Sequence, residues 1–187
     1  MGAREPCTVV AFSPGTVKPV LGLVMVVGLA ACAAPPTQHH SMASLVAPST
    51  SEPLANCSLW LDAVTDLRAE GERDSWHGMQ RVDIEDVPEA VATMVRGLGI
   101  ADPGSPEHAI RIEVVNAYLA TVAGMRSFNL VLRVRHHEGE AWVARGRTVS
   151  VPWTLGEASV RTTLSQALAD ARIALVDGLG SRCRDSA

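Results

Sequence analysis

Residues 20–31 read VLGLVMVVGLAA, twelve apolar or small side chains in a row behind the single positive charge of Lys18. Crossing a bilayer takes about 20 such residues, so this run is too short for an ordinary span. Its length and its basic flank fit the hydrophobic segment of an export signal, which runs about 7–15 residues. The run raises the mean hydropathy of the 187-residue chain, 47% of which is hydrophobic. What folds must therefore be built from the residues behind it, in a compartment where thiols are oxidised.

The run ends in Leu29-Ala30-Ala31-Cys32. Aliphatic, small, small, cysteine resembles the lipobox of bacterial lipoproteins at all four positions. The resemblance implies that Cys32 receives a diacylglyceryl group, that cleavage precedes it, and that its freed amine is then acylated, palmitate being typical. Residues 1–31 are then a lipoprotein signal peptide, and lipid on Cys32 is the membrane attachment. Residue 33 is alanine rather than aspartate. By the same resemblance, this favours the outer membrane, in the inner leaflet facing the periplasm. The stretch before Val17 is long for a leader and carries Glu5, whereas Val17-Lys18 would open an ordinary one.

The 156 residues from position 32 onward contain 14 arginines, no lysine and 19 acidic residues, a net charge of −5. Schiff-base and P-loop lysine chemistry are excluded by composition. The acidic balance argues against nucleic acid as a partner. The length suits one domain. Residues 33–56, rich in Ala, Pro, Ser and Thr without sustained periodicity, read with Cys32 as a flexible tether, 32–56. His39 and His40 fall there as solvated residues. The domain is expected over 57–187.

Alternation of Leu59, Leu61, Ala63 and Leu67 with polar neighbours predicts a first strand, and Val82 and Ile84 a short extended segment. Asp86, with Glu89 three residues on, predicts a capped helix start. The stripe Val87, Val91, Met94, Val95 and Leu98 continues that helix to Gly97 and Gly99. Ile110, Ile112 and Val114 mark one strand, Phe128 to Val134 a second, and residues 142–151 a third, the last two joined at Glu138-Gly139-Glu140. Thr154 with Glu157 opens a final helix that Gly178 and Gly180 end. The order predicts an α+β domain of two layers: an antiparallel or mixed sheet of about four strands with two helices on one face. It resembles the small periplasmic domains of Gram-negative lipoproteins of the LPS-assembly-lipoprotein and YajG-like kinds, which implies an accessory role in the envelope.

Cys57 and Cys183 flank this domain and are the cysteines left after the leader and the lipid site, so they are expected to pair. His136-His137-Glu138 lacks metal-ligand spacing, because strand neighbours face opposite ways. Ser105 lies in a turn, and the carboxylates Asp83, Glu85, Asp86 and Glu89 suit the electrostatics of a helix start. No catalytic residue, metal site or cofactor is expected. Arg133 and Arg135 share a strand face, and so do Arg145 and Arg147 on the neighbouring strand. Four guanidiniums on an open sheet side could hold anionic groups, with Trp76 as a further anchor. The expectation is a non-enzymatic outer-membrane lipoprotein serving an envelope complex through a protein partner. The alternative is a lipoprotein binding anionic lipid or glycan on that arginine face.

Overall fold

The computed structural model describes residues 37–47, 51–70, 74–77, 80–100, 103–122, 125–136, 141–150 and 156–185. Signal segment, Cys32 and Thr154 lie outside them. The strands are β1 (Thr37–Ser41), β2 (Trp60–Asp66), β3 (Asp74–His77), β4 (Gln80–Glu85), β5 (Ala109–Val122), β6 (Met125–His136) and β7 (Ala141–Ser150). The helices are α1 (Val87–Arg96) and α2 (Glu157–Asp185). A mixed four-stranded sheet runs β2-β5-β6-β7, and a second sheet runs β1-β4-β3. Helix α1 packs on β2 and β5, α2 on β6 and β7. This is the expected α+β class, with the four-stranded sheet under two helices. The three-stranded sheet is additional.

On β6 the alternation is strict: Phe128, Leu130, Leu132 and Val134 are buried, and Ser127, Asn129, Val131, Arg133 and Arg135 face outward. Strand β5 keeps Ile110, Ile112 and Val114 inside, then shifts register between Val114 and Asn116. The bulge moves the buried positions to Ala117 and Leu119 and turns Tyr118 outward. A bulge inserts one residue and reverses the facing pattern behind it. The strand therefore runs well past Val114, where simple alternation ends. Its pairing with β2 stops at Val114, and β3 also comes against β5. At that junction Arg68, nearly fully buried, grips Asp66 through two hydrogen bonds of 2.9 Å.

The tether expectation is corrected at its first part. Residues 37–41 form β1, paired in parallel with β4 from Thr37 opposite Arg81 to Ser41 opposite Glu85. Met42 behind it is fully buried. The inward positions of β1 are Gln38 and His40, so no apolar alternation betrays the strand. Leu54 is buried too, its N–H donating to the Leu98 carbonyl. The cap expected at α1 also differs. Asp86 sits at the N-cap position with φ 57°, and its carboxylate accepts from the Ser41 hydroxyl at 2.7 Å rather than from the helix.

Helix α2 does not end at Gly178. It continues through Gly180 to Asp185, burying Val160, Leu164, Leu168, Ala171, Leu175 and Leu179. Gly178 serves packing, since a Cβ there would strike the Trp142 indole. Arg182 lies 3.6 Å over the same ring. Gly146 on β7 lies close against α2, where a Cβ would overlap the Ala167 carbonyl and come 2.7 Å from Ala171 Cβ. The last turn of α2 brings Cys183 to Cys57, with Cα atoms 5.2 Å apart and the sulfurs bonded.

Two basic residues, Arg126 and His40, are buried where β1, β6 and the start of α2 meet. Arg126 is fully buried and donates to Ser159 Oγ at 2.9 Å. His40 is 4% exposed. Burial lowers the His40 pKa below its ordinary 6.5; Glu157 opposes the shift, and Arg161, Arg126 and His39 add to it. A folded-state pKa below the unfolded one means the unfolded chain binds the extra proton. The corresponding stability is complete above pH 6.5 and is lost as pH falls through the depressed pKa. Urea midpoints should drop between neutral and mildly acidic pH, with a His40 share of at most about 1.4 kcal/mol per pH unit. His40→Gln should flatten that slope. An unchanged slope would assign it to carboxylates instead.

Candidate interaction face

Helices cover one side of the four-stranded sheet, and its other side is open among the described residues. Period two places Arg133, Arg135, Arg145 and Arg147 together on this open side, as the sequence implies. The register sets their spacing: Val131 is opposite Arg145, Asn129 opposite Arg147, Arg133 opposite Val143, and Arg135 opposite Ala141.

Charge is not shared evenly along the face. Glu113 on β5 takes both arginines of β6: Arg133 Nη1 donates to its Oε2 at 3.1 Å and Arg135 Nε to its Oε1 at 2.9 Å. Beside them Arg111 Nε donates to Asp62 Oδ2 at 2.6 Å. Two of the four arginines are thus paired within the sheet, sharing the single carboxylate of Glu113. The side chains of Arg145 and Arg147 have no such partner among the described residues. Only the backbone N–H of Arg147 is engaged, donating to Asp170 Oδ2 at 2.8 Å.

Exposed apolar side chains stand near these two arginines, with Asn129 directly opposite Arg147. Val143 and Val149 on β7 are about half exposed, as is Met125 on β6, with Tyr118 of β5 at 38%. An isolated exposed valine needs no explanation. Here Val143 and Val149 of β7, Met125 of β6 and Tyr118 of β5 are exposed on the same side as the unpaired guanidiniums. Tyr118 and Met125 escaped the sequence reading: the β5 bulge reverses the phase at one, and the other precedes the apolar alternation. At the opposite corner Trp60, Asp62, Ala109, Arg111, Arg135 and His136 line an open cleft of about 530 Å³. Trp60 Nε1 is fixed there by the Ser105 carbonyl at 2.9 Å, so Ser105 acts through its backbone. On the helical side an apolar cleft of about 470 Å³ lies between α1, α2 and residues 45–47.

Of the remaining expected sites, Trp76 is on β3 opposite Arg81, its side chain outside the described residues. His137 and Glu138 are also outside. No helix of the described residues is long and apolar enough to cross a membrane.

No protein-family model matches the chain, and no curated protein matches it. Solved structures do. One is the crystal structure of an uncharacterized protein, 12% identical with a TM-score of 0.44, covering 76% of this chain and 99% of that one. Another is protein XCC0632 from Xanthomonas campestris, described under the family model DUF330. It is 10% identical with a TM-score of 0.44, covering 78% of this chain and 99% of its own. Likeness at this level bears on neither ligand nor activity.

Proposed function

We propose that this chain is a non-enzymatic lipoprotein of the bacterial envelope, anchored through Cys32 in the outer membrane and facing the periplasm, that serves as an accessory subunit by docking a partner protein on its open sheet face. The observation that carries the reading is the pair Arg145 and Arg147, whose side chains have no ion-pair partner among the described residues and stand on the face that exposes Val143, Val149 and Tyr118. An apolar centre with arginine beside it is the composition of protein interfaces, where Arg and aromatic residues are enriched and Lys is depleted. The partner surface that fits is apolar with acidic groups. The lipobox supports the anchoring half of the reading, and an intact mass showing diacylglyceryl on Cys32 checks it.

Charge reversal tests the docking half. Arg145→Glu with Arg147→Glu changes exposed groups, so stability should move by less than about 0.5 kcal/mol. Affinity-purified full-length chain should lose its envelope partner in the reversed form, and the wild-type complex should weaken with salt. Retention of the same partner by the reversed chain would overturn the reading.

The free guanidiniums also favour a second occupant of the same face, the anionic headgroup of a lipid or glycan, since arginine holds phosphate bidentately. Salt-sensitive co-sedimentation with anionic vesicles, lost on the same reversal and without any protein partner, would select that alternative.

A further inference from the structure

Strands β1 and β4 bring His39 to Asp83 and Glu85, two carboxylates more than forty residues further along the chain. Their parallel register sets His39 opposite Asp83 and Ser41 opposite Glu85. The intervening His40 and Ile84 point into the core, so His39, Asp83 and Glu85 stand on the outer side of the small sheet. His39 Nδ1 is 2.7 Å from Glu85 Oε1 and 3.5 Å from Asp83 Oδ2. The three donor atoms all lie within 4.8 Å of one another.

We propose that His39, Asp83 and Glu85 form a binding site for a divalent transition-metal cation, with zinc as the best fit. One imidazole nitrogen and two carboxylates are a donor set for zinc and its neighbours, whereas magnesium and calcium prefer oxygen alone. Donors about 2.0–2.2 Å from a tetrahedral ion sit about 3.4 Å apart. The His39–Asp83 separation already meets that distance. The His39–Glu85 contact must open by about 0.7 Å to meet it. Both side chains are well exposed, at 59% and 46%, so rotation about their own bonds supplies the movement.

Electrostatics point the same way. Asp83 and Glu85 place two carboxylates beside the His39 imidazole, and a dication would be attracted by both, with Arg81 as the cation next to Asp83 on the same face of β4. Asp83 and Glu85 also line a surface groove with Asp86 and Glu89, where the cation Arg68 is held by Asp66. A bound ion would tie β1 to β4 from the outside, across the ladder that fastens the N-terminal strand to the domain. Its fourth position faces solvent and is open to water or to a group from elsewhere.

The test uses the full-length chain in detergent after treatment with a chelator. Zinc chloride is titrated by calorimetry, and cobalt(II) is followed by its visible absorption. One equivalent of zinc should bind, and cobalt should show the intense bands of a low-coordinate site. His39→Ala and Asp83→Asn should each weaken zinc binding by about tenfold or more, and should abolish the cobalt bands. Both residues are on the surface, and unchanged melting of the metal-free variants would confirm intact folds. Absence of zinc heat at millimolar metal overturns the proposal. So does zinc binding that survives His39→Ala in a folded chain, which would place the ion elsewhere.

Discussion

Replacing Cys57 and Cys183 together by serine should cost about 2–5 kcal/mol of folding stability, the range seen when a small exported domain loses its bridge. The magnitude follows from the loop. The two cysteines are separated by 126 residues, and cross-linking so long a loop removes about 5 kcal/mol of chain entropy from the unfolded state as an upper figure. Position adds to length. Cys57 is buried just ahead of β2, and Cys183 sits in the last turn of α2, so the bridge closes a contact between the domain's first long strand and its final helix. Urea denaturation of oxidised and reduced wild type, beside the double variant, measures this. The reduced protein and the variant should agree. Equal midpoints in all three would mean that the packing of Leu54 and Leu179 holds these ends without the bond.

Gly146→Ala should be the most damaging single methyl addition to the sheet. The added carbon would overlap the Ala167 carbonyl, which belongs to the helix backbone and cannot rotate away. Helix α2 would have to lift from β7 along the part that buries Leu164, Leu168 and Ala171. Overpacking of this kind costs about 1–3 kcal/mol, and a backbone obstacle argues for the upper end. Gly178→Ala is the informative companion. Its obstacle is the Trp142 side chain, which can give way, so its cost should be smaller. Thermal melts rank the two, and a Gly146→Ala protein as stable as wild type would contradict the close approach.

Much of the large sheet was legible because its strands follow period two. The even positions of β6 from Phe128 to Val134 are apolar, and that alone sets Arg133 and Arg135 on the open side. Three features were hidden, each for a physical reason. A bulge at Val114–Asn116 reverses the phase of β5, so alternation stops while the strand continues. Gly178 and Gly180 look like a helix end, yet tertiary packing against Trp142 and Leu54 outweighs their poor helix propensity, about 1 kcal/mol each. Strand β1 has a histidine where an apolar residue would announce it, and its parallel pairing with β4 joins distant segments. The juxtaposition of His39 with Asp83 and Glu85 depends on that pairing, and no local spacing encodes it. Alternation alone sets four arginines on one face and does not say which of them is paired. Glu113 divides that face into a paired half and an unpaired half, because the β5–β6 register sets Glu113 directly opposite Arg133.

The central claim is that the open sheet face, and not the helical side, meets a partner protein. A photo-crosslinking amino acid at Val143, 49% exposed beside Arg145, probes it in intact cells. Ile173, 61% exposed on α2, provides the control position. The account predicts a discrete protein adduct from position 143 that disappears with Arg145→Glu and Arg147→Glu, and none from position 173. An adduct from position 173 with none from position 143 would contradict it.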